Sequence, residues 1–269
     1  MKKIHNIDLS EISLYGGKGA SLGELTKVSG VKVPAGFVLS TAINKDNLHQ
    51  HQEQILRMLA ELNVEYVAVR SSATKEDSQA HSFAGQFDTF LNVTREKLLA
   101  YILKCYESLN SEKIINYCQS RDVDSGEIDL AIVVQSMING EVSGIAFSAN
   151  PVTKNRQEIV IEAGLGLGEY IVSGVITPDK YVFCRKSKSL KIMDINYQEH
   201  MLMCVDGKNI HTEVSLEKRN KRKLTDDEID MLVEIILNIE KHYKKPMDIE
   251  WVIKNKNIYI TQARPITTL

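Results

Sequence analysis

The chain has 269 residues, 43% hydrophobic and 25% charged, the make-up of a folded globular protein with material for one large domain or two lobes. Its 33 basic and 35 acidic residues leave a net charge of −2, which argues against a general nucleic-acid or membrane binder. No apolar run approaches the roughly 18 residues of a membrane span. The Met1-Lys2-Lys3-Ile4-His5 start lacks a signal-peptide core, and the cysteines (Cys105, Cys118, Cys184, Cys204) form no Cys-x-x-Cys pair, so a cytoplasmic chain with reduced, packed thiols is expected.

In chain order, Tyr15-Gly16-Gly17-Lys18-Gly19 precedes a short helix expected over 20–27, and Val33-Pro34-Ala35-Gly36-Phe37 turns into a strand. Residues 47–62 carry Ile55, Leu59 and Leu62 at helical spacing. Tyr66-Val67-Ala68-Val69 is a strand that ends on the polar Arg70-Ser71-Ser72. After Gly85, residues 89–93 form another strand, and Thr94 opens a helix with Leu98, Leu99, Ile102 and Tyr106 inward, followed by a second helix over 111–119. Residues 130–135 read as a buried strand, with 142–149 expected to pair with it. Strands are expected at 158–163, 181–184 and 191–195, and the five basic residues within 217–223 as a solvated connector. Thr225-Asp226-Asp227-Glu228 is a capping box for a helix with Ile229, Leu232, Val233, Ile236 and Ile239 on one face. Strands and helices mix without βαβ alternation, so the class is α+β, with lobes expected at 1–134 and 135–269.

The C-terminal stretch is a β-hairpin, Asp248-Ile249-Glu250-Trp251-Val252-Ile253 against Ile258 to Arg264. A two-residue turn at Asn255-Lys256 pairs Glu250 with Thr261, whereas a longer or bulged connection pairs Glu250 with Gln262 and Asp248 with Arg264. The second register gathers two carboxylates, an amide oxygen and a guanidinium, suited to a metal beside a phosphate. A plain cross-strand Asp–Arg pair is the alternative.

Other segments carry two readings each. Gly16-Gly17-Lys18-Gly19 lets backbone approach a phosphate beside a lysine charge, or is an ordinary loop; it lacks the spacing of a Walker A motif. Gly164, Gly166 and Gly168 follow a strand, but Glu169 stands where a dinucleotide fingerprint needs glycine, which leaves a strand-to-helix turn. Residues 82–89, around Gly85, suit a flap over a triphosphate or a surface loop. Arg70, at the end of an apolar strand, calls for an anion, from a ligand or from the protein itself. The seven histidines show no metal-ligand spacing.

In order, Gly16-Gly17-Lys18-Gly19-Ala20, Val33-Pro34-Ala35-Gly36-Phe37, Arg70-Ser71-Ser72-Ala73-Thr74-Lys75-Glu76-Asp77, Ser82-Phe83-Ala84-Gly85-Gln86, Val133-Val134-Gln135-Ser136-Met137, Asn150-Pro151-Val152-Thr153, Asp248-Ile249-Glu250-Trp251 and Gln262-Ala263-Arg264-Pro265 span nearly the whole chain. Together they resemble the ATP-binding domain of the phosphoenolpyruvate synthase and pyruvate phosphate dikinase family, which includes the rifamycin phosphotransferases. The resemblance implies an ATP-grasp-type fold whose two lobes close on Mg-ATP. It makes Lys18, Arg70 and Arg264 phosphate ligands with catalytic roles. It places Gln135 and Met137 at the adenine edge through their backbones. It assigns Gly85, Gln86 and Thr89 to a loop over the terminal phosphates, Glu250 and Gln262 to Mg2+, and Asp248 beside them.

The implied reaction moves the β,γ-diphosphate of ATP to a histidine on a separate domain and releases AMP; pyruvate or an antibiotic hydroxyl then serves as a small-molecule acceptor. This sequence has no Thr-Ser-His-Ala-Ala-like carrier segment, so the histidine is expected in trans, on another domain or chain. The stretch between Phe37 and Arg70 is shorter than in the family, which takes outer helices of the first lobe out of the resemblance. Rival expectations are a direct small-molecule kinase and a nucleotide sensor without turnover.

Overall fold

The computed structural model describes residues 1–74, 87–120 and 128–269. Its class is α+β, and it divides into two compact units: Met1–Lys27 with Pro34–Met137, and Val28–Val33 with Ile138–Leu269. The boundary expected at 134/135 falls inside a strand. The apolar run continues to Ser136, so the division comes after Met137.

The first unit is built on an antiparallel sheet in the order β1-β2-β5-β3-β4, with β1 Lys2–Lys3, β2 Gly36–Leu39, β3 Val67–Ala73, β4 Thr89–Val93 and β5 Leu130–Ser136. β5 is the middle strand, which is why Leu-Ala-Ile-Val-Val lacks polar alternation: both of its faces are covered. One face carries Leu39, Val67, Val69, Ile132 and Val134. It packs against α2 (Gln52–Leu62), α3 (Leu98–Ser108) and α4 (Glu112–Ser120) through Ile55, Leu59, Leu98, Ile102, Ile114 and Cys118. Alternation sends Val38, Ala68, Arg70, Ser72, Val133 and Gln135 to the other face, against α1 (Ile12–Leu25). The pairing expected between 130–135 and 142–149 does not occur. β5 is flanked by β2 and β3, and β6 (Val142–Phe147) belongs to the second unit. Between Phe37 and Arg70 the one α-helix is α2.

The second unit holds a six-stranded antiparallel sheet in the order β13-β12-β6-β7-β8-β9, with β7 Glu158–Leu165, β8 Asp179–Cys184, β9 Ser189–Asp194, β12 Met247–Lys254 and β13 Asn257–Pro265. α5 (Glu169–Val172) follows β7, and α6 (Leu216–Arg219) leads toward α7 (Asp226–Tyr243). α7 starts at the expected capping box: the Thr225 hydroxyl accepts from Glu228 N at 3.3 Å, and Glu228 accepts from Thr225 N at 2.8 Å. Its buried face, Ile229, Leu232, Val233, Ile236 and Ile239, meets β12, whose Met247, Ile249, Trp251 and Ile253 are all buried. Trp251 pairs with Gly144, where a Cβ would collide with the indole. A hairpin of β10 (His200–Val205) and β11 (Lys208–Glu213) was not among the expected elements. It turns at Asp206-Gly207, both at positive φ (48° and 70°), a dipeptide that signals a hairpin.

The basic run at 217–223 is not a solvated connector. Lys218, Lys221 and Arg222 are exposed, but Arg219 and Lys223 are buried. The Lys223 ammonium donates to Asp179 Oδ1 at 2.9 Å and to Asn196 O at 2.6 Å. Asp179 accepts three further bonds, from the amides of Asn196 and Lys223 and from the Tyr181 hydroxyl. Burial, reinforced by the Asp179 charge, pushes the Tyr181 phenol up to about 12.

Candidate functional site

The expected residues fall into two groups, one on each unit. In the first, α1 is interrupted at Gly16, whose φ of 69° and ψ of 170° are open only to glycine. The helical stretch beyond it carries Lys18, buried, with Nζ donating to Ser71 O at 2.8 Å. Arg70 lies on the α1 side of the sheet, between Thr89 of β4 and Val133 of β5. It is only 7% exposed, and its Nη1 donates to Gln135 Oε1 at 3.3 Å. The Gln135 amide oxygen is thus one of the groups that hold the Arg70 guanidinium.

Gln135, expected to act through its backbone, also has a side-chain contact. Its backbone lies in the middle strand, flanked by Gly36 and Ala68, and its side chain, 2% exposed, reaches Arg70. Met137 follows the strand, with its N–H donating to Tyr66 O at 3.1 Å. A nucleotide base at this edge would thus meet the Met137 carbonyl rather than its N–H. Thr89 is exposed at the start of β4; Gly85 and Gln86, with the rest of 75–86, lie outside the described residues.

In the second unit, both features weighed for the hairpin are present together. Asn255 and Lys256 form a two-residue turn at φ 49° and 60°, and a bulge follows between Glu250 and Trp251. Ile260 pairs with Trp251, Thr261 is the extra residue, and Gln262 comes opposite Glu250, with Arg264 opposite Asp248. Without the bulge, Gln262 would project into the core with Ile260. With it, Asp248, Glu250, Gln262 and Arg264 share the face turned away from the Met247, Ile249, Trp251 and Ile253 side chains.

Asp248 and Arg264 form the plain ion pair: Nε and Nη2 both reach Asp248 Oδ2, at 2.8 Å each. Burial raises the Asp248 carboxyl above its ordinary value, Arg264 pulls it back, and the Glu250 charge adds a smaller push upward. Glu162 of β7, absent from the expected set, lies in the same cross-sheet row as Glu250, one strand beyond Ile145. Burial raises it too, opposed by Lys180 and assisted by Asp248. A lone glutamate inside Ile159-Val160-Ile161-Glu162-Ala163 was the available signal.

A carboxyl raised on folding favours its neutral form. The stability Asp248 contributes is thus present at low pH and lost as pH rises through its folded value. Arg264→Met removes the compensating guanidinium. It is expected to raise the Asp248 carboxyl further, so that this loss occurs at higher pH and is larger. A carboxyl-carbon NMR titration of Asp248 in both proteins checks this; an unmoved midpoint would contradict it.

Glu250 and Gln262 offer oxygen donors on adjacent strands, the hard donor type that Mg2+ takes. Among the described residues no group of three or more His, Cys, Asp or Glu is arranged to hold a metal, so these two donors would need ligand oxygens to complete a coordination shell. The glycines at 164–168 are a structural turn. Gly166 N donates to Glu141 O at 3.0 Å and Leu167 N to Leu202 O at 2.9 Å, and Ser143 Oγ donates to Gly166 O. No helix among the described residues is long and apolar enough to cross a membrane.

The chain matches the family described as "Pyruvate phosphate dikinase, AMP/ATP-binding domain" over residues 12–66 and 49–269. The two matched segments overlap between Phe37 and Arg70, the stretch expected to be short. A "Probable phosphoenolpyruvate synthase" of Archaeoglobus fulgidus is 37% identical over 311 residues, covering 98% of this chain and 41% of that protein. A "Rifampicin phosphotransferase" of Bacillus subtilis is 34% identical over 312 residues, covering 99% of this chain and 36% of that protein. The chain thus spans less than half the length of either. Among solved structures, a dinucleotide-forming acetyl-coenzyme A synthetase of Ca. Korarchaeum cryptofilum covers 93% of this chain and 91% of its own at 14% identity and a TM-score of 0.45. A D-alanine–D-alanine ligase of Bacillus anthracis covers 93% of this chain and 56% of its own, at 12% and 0.43. Both likenesses are too loose to carry an assignment.

Proposed function

The chain belongs to the pyruvate phosphate dikinase AMP/ATP-binding domain family, and from that membership we propose that it is an ATP-grasp-type phosphotransferase unit for Mg-ATP. It passes the β,γ-diphosphate to a histidine on a separate domain or chain. A histidine nitrogen attacks the β-phosphorus, the bond from that phosphorus to the α,β-bridging oxygen breaks, and AMP leaves with the oxygen. The observation that carries this reading is the family match over 12–66 and 49–269, with Lys18, Arg70, Glu250, Gln262 and Arg264 all present within it.

The chain's residues supply position and charge, the two things phosphoryl transfer demands. Lys18 and Arg70 hold phosphate oxygens, Arg70 following the charge that builds on the transferring group. Arg264, released from one of its bonds to Asp248, takes a phosphate. Asp248 keeps that guanidinium oriented. Gln135 steadies Arg70, and Met137 meets the base. Glu250 and Gln262 hold Mg2+, which neutralises phosphate charge when bound. Gly85, Gln86 and Thr89 belong to the loop over the terminal phosphates. A small-molecule hydroxyl or enol is the final acceptor, and the chain works in the cytoplasm.

The test is nucleotide analysis of the chain with Mg-ATP, with and without a histidine-carrier domain from the same family. AMP formed only with the carrier supports the reading. ADP formed without it would make the chain a direct kinase, and binding without either product a sensor. In the AMP assay, Glu250→Gln is expected to shift the Mg2+ titration to higher concentration by roughly tenfold or more. An unchanged titration would remove Glu250 from the metal site.

A further inference from the structure

Gly16 creates a difficulty that it cannot solve itself. The helical stretch of α1 that carries Lys18 begins just after it, so Gly16 occupies the N-cap position and Gly19 the third helical one. An N-cap side chain ordinarily accepts the hydrogen bond of the third amide, and glycine has none to offer. The acceptor comes from β3 instead. Ser72 Oγ accepts from Gly19 N at 3.0 Å and donates to Tyr15 O, also at 3.0 Å. One hydroxyl thus ties together the two sides of the interruption, and Ser72 is fully buried. A Cβ on Gly16 would collide with the Ser72 carbonyl and hydroxyl, so β3 packs against the interruption closely enough to admit only glycine there. The preceding residue, Ser71, takes the Lys18 ammonium on its carbonyl at 2.8 Å.

We infer that Ser72 is a positioning residue: it caps, from the neighbouring strand, the helical stretch that presents Lys18, and so fixes the lysine ammonium for the phosphates of ATP. This rests on the reading of Lys18 as a phosphate ligand. The two requirements on the hydroxyl are opposite in kind, one accepted and one donated bond. Alanine therefore leaves both Gly19 N–H and Tyr15 C=O without this partner. The strand contributes through alternation: Arg70 and Ser72, two residues apart, project to the same face. β3 thereby supplies one phosphate ligand directly and holds the other in place.

The experiment is a double-mutant cycle on Mg-ATP affinity by calorimetry, using wild type, Ser72→Ala, Lys18→Met and the double variant, with adenosine as a second ligand. Ser72→Ala is expected to weaken Mg-ATP by roughly 5- to 10-fold, the scale of a lost cap, while adenosine affinity holds. The double variant should bind no more weakly than Lys18→Met alone, because Ser72 acts through Lys18. Amide exchange at Gly19 should accelerate in Ser72→Ala whether or not nucleotide is present. If Ser72→Ala folds poorly, Ser72→Cys, which retains a weaker donor and acceptor, should weaken Mg-ATP by a smaller factor in the same direction. Wild-type affinity in the serine variants, additive losses, or unchanged Gly19 exchange would each overturn the inference. Failure of the wild type to bind Mg-ATP would instead overturn the reading of Lys18, and this role with it.

Discussion

Lys223→Ala is expected to destabilise the second unit by roughly 3–5 kcal/mol, the cost of leaving a buried charge without its partner. The side chains of Lys223 and Asp179 are 1% and 0% exposed and meet at 2.9 Å. Asp179 would keep its bonds from Asn196 N, Lys223 N and Tyr181 OH, which soften the loss but carry no full charge. The chain's one tryptophan, Trp251, is buried in this same unit, so its fluorescence in urea reports the unit's own unfolding. Lys221→Ala, an exposed neighbour in the same basic run, should change stability by less than about 0.5 kcal/mol. Replacing both partners, Asp179→Leu with Lys223→Met, should recover only part of the loss, since Asn196 N and the Tyr181 hydroxyl would then lack their acceptor. A Lys223→Ala curve that overlays that of Lys221→Ala would refute the account.

That pair also shows where the sequence stopped being informative. Five basic residues within 217–223 look alike in one dimension, and the partner that buries Lys223 is 44 positions away. Local rules succeeded where the cause is local. The capping box before α7, the apolar stripe along it, and the alternation in β12 are each written within a few residues. The pairing of 130–135 failed because adjacency in sequence does not say which sheet a strand joins; β5 is flanked on both sides within its own unit. In the hairpin, the turn and the bulge were treated as alternatives, although Asn255-Lys256 fixes one end of the register and Thr261 resets the other. The family was legible through ordered motifs, and Lys18, Arg70, Glu250 and Arg264 were singled out because they stand within them. Ser72 was not, because its role depends on a side chain that Gly16 lacks, and no motif records a missing group. Gln135 was assigned by its backbone, while the geometry gives its side chain to Arg70.

Arg70→Ala is expected to lower kcat for carrier-dependent AMP formation by roughly 10²–10³-fold while weakening Mg-ATP binding much less. On the proposed reaction, the asymmetry follows from when the contact matters. In the ground state the triphosphate charge is spread over many oxygens and shared with other ligands. As the bond to the β-phosphorus breaks, charge gathers on the transferring group and the leaving oxygen, and a fixed cation gains most at that moment. Arg70 is suited to this because it is fixed beforehand. It is 7% exposed, it sits between two paired strands, and Gln135 holds its Nη1 at 3.3 Å. Arg70→Lys should not restore the rate, since an ammonium lacks the planar fork that reaches Gln135 and, in the proposed reaction, phosphate as well. Gln135→Leu should lower kcat by a smaller factor, as the guanidinium keeps its charge and loses its orientation. Calorimetry on a non-hydrolysable ATP analogue gives the binding term, and AMP release under saturating nucleotide gives the rate. Equal losses in affinity and rate for Arg70→Ala would mean that the guanidinium binds ATP uniformly and takes no special part in the transfer.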